Sequence, residues 1–369
     1  MVIRYITGYM RTFVGCRLFS VGDTCYVWED LLLAACLWGD WEALRRQVRA
    51  GLACLARLDD LEDDDEEGLD EDEVDEAAEE FRYARDLIAA EDMEAWLERR
   101  GLTADSWLDY IRRSLLVKRW AGDLEEIERE YPVGNGEVDE VLVGDALCGG
   151  HAAALASRLA GRAAIYAKTL DAAADRRDGM TPEDVKRVTD SLPVDVRQYG
   201  LPGLSPAACQ ARVSALARLE VAWQRFAAGL VTPQAIHDQI TAHQLDWIRF
   251  SVRSLFFRDN DAAREAALCV REDGRDLAEV AAEADADLEE ADWYLDEVDE
   301  ALRDRLVGAQ SGDLLGPLPL KDGHVVVSVV AKHLPSAADP SVRARAERAL
   351  LGSAVEREVV NRVTWQDAL

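Results

Sequence analysis

The sequence predicts an α+β fold that is mostly helical, with a small sheet near the carboxyl end. Two observations support this prediction. Up to residue 244, apolar residues recur at spacings of three and four, as on the buried side of an amphipathic helix. From residue 245 onward, short alternating or β-branched runs lie between helical segments, which is typical of strands. A chain of 369 residues, 49% of them hydrophobic, can bury a core in each of two or three domains.

The region before residue 245 contains six predicted helices. Thr103, Thr181 and Ser205 are capping residues that precede three of these helical segments. Glycine and proline clusters at 131–140 and 199–206 are the expected turns or linkers. The predicted helices span 28–57, 75–100, 105–130, 150–175, 182–193 and 206–228.

Short sequences recur in the same order in the two halves of this region. VGDTC at 21–25 resembles VGDALC at 143–148, and residues 101–120 resemble residues 203–223. This internal repeat, over 16–130 and 139–244, predicts two related helical lobes. The alternative is that alanine-rich amphipathic helices resemble each other by chance, and the sequence leaves both open.

Strand signals are concentrated after residue 245. The sequence LDWIRFSVRSLFF at 245–257 alternates apolar and polar residues and predicts a strand. Strands at 314–320 and 324–331 are expected to form a hairpin, with Gly323 supplying the positive dihedral of a tight turn. Helices are expected at 260–273, 276–284 and 296–309, and a last helix runs from Pro340 to about Trp365 with a broad apolar face that requires a partner.

The chain is strongly acidic, which limits the classes of partner. Its formal net charge is −30, and 16 acidic residues lie between Asp59 and Glu80. Because nucleic acids and anionic lipids attract cationic surfaces, neither is an expected partner. The run 59–80 is expected to be a solvated, disordered loop, since its carboxylates repel one another and bury little surface. An Arg- or Lys-rich peptide is the ligand that such a run would attract.

Cysteine usage indicates a reducing compartment. The seven cysteines are odd in number and contain no CxxC pair, so a cytoplasmic location is expected. Lipoprotein export is the alternative, because the sequence up to Cys16 resembles a lipoprotein cleavage site. Arg4 and Arg11 oppose it by interrupting the apolar region of such a signal. No apolar run in the sequence is long enough to cross a membrane.

Motifs of common enzyme and metal sites are missing from the sequence. Cys148 and His151 are spaced as two zinc ligands on one helical turn, but no second pair follows at a suitable spacing. No Ser-His-Asp motif, dinucleotide-binding glycine pattern or P-loop occurs. No metal and no cofactor is therefore expected.

Three stretches after residue 245 carry a family resemblance. They are GRDLAEVAAEA at 274–284, ADWYLDEVDEALRDRLVGAQSGDLLGPLPLKDG at 291–323 and VVVSVVAKHLPSAADPSVRARAERALL at 325–351. They resemble the parvulin-type (PpiC) domain of the SurA and PpiC class of chaperone-isomerases. Within this class the chain is most similar to the cytoplasmic subgroup associated with ribosomal peptide maturation. The resemblance implies a SurA-like helical body at 1–244, a parvulin-like α/β domain at 245–336 and a helix at 337–369 that docks on the body.

The resemblance also implies two catalytic histidines, and this chain departs from the family pattern at both. Ser254 stands where the family has the histidine of the first strand. Alignment on Gly323 puts His324 at the family's tyrosine position and Val325 at the second histidine position. Because side chains alternate along a strand, His324 is expected to point away from the groove. Ser254 and His324 are thus vestigial catalytic candidates, and an efficient isomerase is not expected.

An apolar peptide groove is implied in altered form. Val298 takes the family's methionine position, and Leu302 and Val307 take the positions of the two aromatic residues that hold proline. Trp293 and Tyr294 are expected in a loop, where they either stack on a peptide or cap the core. The predicted peptide-binding residues are Phe256, Trp293, Tyr294, Val298, Leu302, Val307 and Val325.

These features predict a peptide-binding chaperone or accessory protein. It would hold an unfolded or precursor peptide for a partner enzyme that modifies it. One alternative is an active peptidyl-prolyl cis-trans isomerase of the parvulin type. The other is a structural subunit whose helices pack permanently against another protein.

Overall fold

The structure is a computed structural model that describes residues 15–61, 68–172, 181–191 and 205–366. These residues form a mostly helical α+β fold with two small antiparallel sheets, which confirms the predicted fold class. The chain divides into two compact units. The first comprises Met1–Phe226 with Ala354–Leu369, and the second comprises Ala227–Ser353. The domain limits 1–244, 245–336 and 337–369 stay a prediction, as does the repeat at 16–130 and 139–244.

The described elements are numbered in chain order. They are β1 (Arg17–Val21), β2 (Thr24–Val27), α1 (Trp28–Trp38), α2 (Asp40–Asp60), α3 (Glu71–Tyr83), α4 (Ala90–Arg99), α5 (Ala104–Arg119), α6 (Leu124–Glu130), α7 (Asn135–Cys148), α8 (His151–Ala172), α9 (Pro182–Asp190), α10 (Pro206–Leu230), α11 (Pro233–Ala242), β3 (Arg249–Phe257), α12 (Asn260–Arg271), α13 (Leu277–Ala284), β4 (Leu288–Tyr294), α14 (Glu300–Gly308), β5 (Leu314–Leu320), β6 (Gly323–His333), α15 (Pro340–Arg362) and β7 (Val363–Trp365).

Side-chain caps begin three helices as the sequence predicts. Thr103 and Thr181 accept hydrogen bonds at 3.1 Å from the backbone N–H groups three residues ahead. Ser205 accepts one at 3.2 Å from the N–H of Ala208. Each oxygen satisfies a donor that has no partner within the first helical turn, which is why these residue types fix the helix starts.

Two predictions about irregular segments need correction where the structure describes them. The turn expected at 131–140 is confirmed for 131–134, between α6 and α7, but α7 begins at Asn135, because the Glu137 carboxylate accepts a 2.7 Å hydrogen bond from the N–H of Gly134 and caps the helix. The acidic run expected to be a loop forms α3 from Glu71 onward, capped by Asp70. Arg119 donates to Glu73 at 2.6 Å and offsets part of the repulsion. Residues 62–67 of the run, and 199–204 of the second predicted turn, lie outside the described residues.

The first unit contains a three-stranded sheet that is not predicted from the sequence. Its order is β2-β1-β7, so the first and last described strands pair directly. Phe19 stacks on Tyr26 with ring centroids 4.8 Å apart and meets Trp365 at 5.4 Å. Strands of three to five residues carry almost no periodic signal, and one of them is distant in sequence.

The second unit is built around a four-stranded antiparallel sheet with the order β4-β3-β6-β5. One face packs against α12 and α13 through a core that includes Leu255 and Val326. The other face packs against α14 through a core that includes Phe250, Val327 and Leu306. We call these the closed face and the pocket face, respectively. The first half of α15 packs through Val342 and Ala346 on α11 and Trp247 in the same unit.

The predicted hairpin forms, but Gly323 serves a different purpose from the one expected. Leu320 pairs with Gly323 across a two-residue turn, and the φ of Gly323 is not positive. A Cβ atom at this position would lie 2.4 Å from the carbonyl oxygen of Phe257 and 2.6 Å from Cζ of Phe256. Glycine is therefore required by close approach of the neighbouring strand rather than by the turn.

Trp293 and Tyr294 end strand β4 instead of lying in a loop, so that prediction is wrong. The sequence LEEADWY contains three acidic residues, which disfavour a strand on their own. Arginines of the neighbouring strand compensate for them: Arg253 donates to Glu290 at 2.8 Å, and Arg249 forms an ion pair with Asp292. This stabilisation depends on a partner strand that lies more than thirty residues away in sequence.

Candidate functional site

A pocket of about 460 Å³ opens on the pocket face of the four-stranded sheet. Its walls come from strands β3, β5 and β6 and from the segment that runs through β4 to α14. This volume suits one or two side chains of an extended chain and is within the usual range of small ligand sites. The residues that line it are Ser254, Phe256, Asp287, Glu289, Trp293, Glu297, Val298, Asp299, Leu302, Leu320 and Val325.

Strand alternation decides which residues reach the pocket. Ser254 and Phe256 of β3 line it, whereas Leu255 and Phe257 belong to the core of the closed face. On β6, Val325 lines the pocket opposite Phe256 in the strand register. His324 is paired with Phe257, on the other side of the sheet, and does not line the pocket. No histidine is among the lining residues.

The apolar part of the pocket is only partly shielded. Phe256 is 46% exposed, which is high for a phenylalanine on a central strand. Leu302 and Val325 are buried in the wall, and Val298 and Leu320 are half-buried beside them. A chain that entered here would remove the exposed surface of Phe256 from water, which favours binding by about 25 cal/mol per Å² of apolar surface.

Ser254 is the polar group of the pocket floor. It is 4% exposed, and its hydroxyl has no hydrogen-bond partner within the described part of the chain. In the strand register it lies between Val327 and Glu289. The hydroxyl oxygen borders the pocket and keeps some contact with water, so it is available to a ligand that brings a donor or an acceptor.

Four carboxylates surround the apolar part of the pocket, and no cation is among the lining residues. Glu297 accepts a hydrogen bond from Arg345, which offsets its charge. Asp287, Glu289 and Asp299 are exposed and have no ion pair among the described residues. Asp299 precedes α14, yet its side chain makes no capping hydrogen bond. The pocket therefore has a negative electrostatic potential.

Nine residues are singled out from the sequence as catalytic or peptide-binding candidates. Six of them line this pocket, and three lie elsewhere. The hydroxyl of Tyr294 donates to Ser341 at 3.0 Å, and the guanidinium of Arg345 lies 4.4 Å from its ring centroid. Val307 is half-exposed on α14, and its carbonyl accepts from Lys332. His324 lies on the closed face, as described above. The six residues in the pocket are Ser254, Phe256, Trp293, Val298, Leu302 and Val325.

The four lining carboxylates and Leu320 are not predicted from the sequence. The spacing of Asp287 and Glu289 would place both on one face of a strand, but that segment is predicted to be a loop. Once β4 is recognised, its alternation places Glu289 and Trp293 on the pocket face and Glu290 and Asp292 on the other. These carboxylates could therefore have been placed only if β4 had been predicted as a strand.

A Ser-Asp-His cluster on the other side of β3 lacks the geometry of a hydrolase. Ser251 donates to Asp292 at 2.6 Å, and its oxygen lies 3.1 Å from Nε2 of His333. In a catalytic triad the imidazole stands between the nucleophile and the carboxylate, whereas here the serine stands between the other two. The hydrogen bond from Ser251, followed by the Arg249 guanidinium, lowers the pKa of Asp292. The cluster stabilises the junction of β3, β4 and β6.

The described residues contain no group of three or more His, Cys, Asp or Glu side chains placed to hold a metal ion. Burial raises the pKa of the Cys148 thiol to about 12, so this residue stays protonated at neutral pH. None of the helices in the described ranges combines the length and the apolar character that a membrane crossing needs.

Comparison with known proteins gives structural similarities at low sequence identity. No family model matches the chain, and no curated protein matches it in sequence. PrsA of Bacillus cereus, a peptidylprolyl isomerase, is 14% identical with a TM-score of 0.33, over 62% of this chain and 87% of that chain. The corresponding PrsA of Bacillus anthracis is 11% identical with a TM-score of 0.30, over 55% and 94%. A SurA-like chaperone of Campylobacter jejuni is 7% identical with a TM-score of 0.19, over 66% and 94%. The chain is thus similar to PrsA and SurA-like proteins at identities of 14% and below.

Proposed function

We propose that this protein is a chaperone or accessory protein that holds an extended peptide in the pocket of its parvulin-like domain, without efficient isomerase activity. The observation that carries the proposal is the composition of the pocket. It contains an exposed aromatic ring, aliphatic walls and one unpaired hydroxyl, and it contains no imidazole. These groups bind a chain through apolar contacts and main-chain hydrogen bonds.

Weak catalysis follows from the same composition. Rotation about a peptide bond has a barrier of roughly 18–20 kcal/mol, and an isomerase must stabilise the twisted amide to lower it. The two histidines that the family resemblance implies are replaced by Ser254 and Val325 on the pocket face. His324 is paired with Phe257 on the closed face and is not placed to act on a chain in the pocket. The pocket thus keeps groups that bind a peptide and lacks those that would polarise it.

The proposed client is an unfolded or precursor peptide in the cytoplasm, presented to an enzyme that modifies it. The net charge of −30 argues against nucleic acid and anionic membrane as partners. The odd number of cysteines without a CxxC pair supports a reducing compartment. No cofactor takes part in this function.

Filling the pocket tests the proposal. Val298→Trp and Leu302→Trp place an indole where the client chain would lie, and we expect each to weaken binding of a fluorescein-labelled unfolded polypeptide at least tenfold. Val330→Trp is the matched control, because Val330 is exposed and does not line the pocket. Unchanged binding in both pocket variants would contradict the proposal.

A protease-coupled assay on Xaa-Pro peptides tests the second half of the proposal. We expect at most a small acceleration over the uncatalysed rate for the unmodified protein. Substantial turnover that is lost in Ser254→Ala would show instead that the domain is an active isomerase with a rearranged site.

A further inference from the structure

The charge around the pocket specifies which peptide it prefers. Asp287 and Glu289 stand at the start of β4, and Asp299 stands beyond the end of that strand, before α14. All three line the same pocket and lack an ion-pair partner among the described residues. Like charges that share a site without a counterion raise the energy of the empty pocket, and a cationic ligand relieves this repulsion.

The arrangement does not suit a single metal ion. A divalent cation needs several oxygen ligands at 2–2.6 Å from one point. The described residues hold no such group of acidic side chains, although all four lining carboxylates belong to them. Separate carboxylates around an apolar floor suit separate cationic side chains carried on one chain.

Ser254 gives a second and independent indication of a ligand. The residue is 4% exposed and borders the same pocket, and its hydroxyl has no hydrogen-bond partner in the described part of the chain. In the register of the sheet it lies directly opposite Glu289. A peptide main chain that reached the floor would satisfy this hydroxyl and would bring its side chains level with the carboxylates.

We propose that the pocket selects basic, apolar segments. An apolar side chain enters between Phe256, Leu302 and Val325, the main chain bonds to Ser254, and flanking Lys or Arg side chains pair with Asp287, Glu289 and Asp299. This inference rests on the proposed function and specifies its client class. The net charge of −30 adds long-range attraction for such a client, which speeds association and weakens as salt is added.

The test uses three labelled peptides with the same apolar centre, flanked by two lysines, two serines or two glutamates. Binding to the full chain is measured by fluorescence anisotropy at 50 mM and 500 mM NaCl. We expect the lysine peptide to bind about tenfold more tightly than the serine peptide at low salt and the glutamate peptide to bind most weakly. The differences should shrink several-fold at high salt.

The variant D287N/E289Q/D299N should bring the lysine peptide to the affinity of the serine peptide and leave the serine peptide unchanged. The matched control is D92N/E98Q/D105N, which removes the same charges from exposed positions on α4 and α5. Circular dichroism and thermal melting establish that both variants fold. If the control lowers lysine-peptide binding as much as the pocket variant does, the preference is a property of net charge and the inference is wrong.

The remaining outcomes separate this inference from the proposed function. Equal binding of the three peptides, with binding still lost in Val298→Trp, overturns the basic preference and leaves the holding function intact. Binding that persists unchanged in Val298→Trp overturns the proposed site itself.

Discussion

The two faces of the four-stranded sheet are made by alternate residues of the same strands, yet they differ in how completely helices cover them. On the closed face, Leu255 and Val326 are fully buried under α12 and α13, where small alanines such as Ala263 and Ala267 let the helices approach closely. On the pocket face, the single nine-residue helix α14 leaves Phe256 46% exposed. The comparison shows that the pocket lies where the helical layer is incomplete, one residue along the strand from a closed core.

The largest expected difference is between neighbouring residues of β3. Leu255→Ala opens a cavity in the closed face and should lower the free energy of unfolding by about 2–5 kcal/mol. Phe256→Ala removes a half-exposed ring and should cost about 1 kcal/mol or less, while weakening peptide binding several-fold. Urea denaturation and anisotropy measure the two effects. Equal losses of stability would show that the pocket face is packed as tightly as the closed face.

Gly323 lies against both Phe256 of the pocket face and Phe257 of the closed face, and its substitution should have the next largest effect on stability. The Cβ of Gly323→Ala would lie 2.4 Å from the carbonyl oxygen of Phe257, so the strands must separate, at a cost of about 1–3 kcal/mol. Gly352→Ala is the matched control: its Cβ meets nothing within 4 Å, and an alanine inside helix α15 should stabilise by about 0.5–1 kcal/mol.

The double variant F256A/G323A sharpens this test. It removes the Phe256 ring, which is the second atom group that the new Cβ would meet, but not the backbone oxygen. We therefore expect the double variant to be more stable than the sum of the single losses predicts, without full recovery. Strict additivity would mean that the ring moves aside freely.

Two serines on β3 offer a finer comparison. Ser251 lies on the closed side and bonds to Asp292, so Ser251→Ala should cost about 0.5–1.5 kcal/mol and leave peptide binding unchanged. Ser254 lies in the pocket without a partner among the described residues, so Ser254→Ala should leave stability within about 0.5 kcal/mol and weaken peptide binding about fivefold. Thermal melts and anisotropy distinguish the two. A loss of stability in Ser254→Ala equal to that in Ser251→Ala would contradict the assignment of an unpaired hydroxyl.

Much of the fold of the second unit could be predicted because its signals are local. The alternation of 245–257, the turn after Leu320 and the stripes of the helices place every element of this unit from β3 onward except β4 within a few residues of its observed limits, whereas the short helix α11 is not predicted. Strand β4 was missed because its acidic residues are stabilised by Arg249 and Arg253 of another strand. A contact between distant residues leaves no periodic pattern in the sequence.

The site was predicted in part for the same reason. Ser254, Phe256 and Val325 follow from the family resemblance applied to two recognisable strands, and the structure places all three at the pocket. The displaced Tyr294 and the missed Glu289 both lie on β4, whose register the sequence does not reveal. For His324 the register could be predicted: it lies one residue before Val325 on β6, and alternation therefore places its imidazole on the closed face.

The smallest expected effect concerns Asp292, on the side of β4 that faces away from the pocket. The Ser251 hydroxyl and the Arg249 guanidinium lower the pKa of this carboxyl, so its contribution to stability is present above its unfolded pKa, near 3.9, and is lost as the pH falls through the folded value. Because the side chain is 45% exposed, Asp292→Asn should cost no more than about 1 kcal/mol at pH 7, and this difference should approach zero below about pH 3. Urea unfolding of the unmodified protein and of Asp292→Asn between pH 7 and pH 3 measures this difference in stability. Asp299→Asn is the matched control on the pocket face, because it removes a carboxylate that has no ion pair in the described chain. A cost that stays constant down to pH 3 would show that the effect of Asp292→Asn comes from packing rather than from charge.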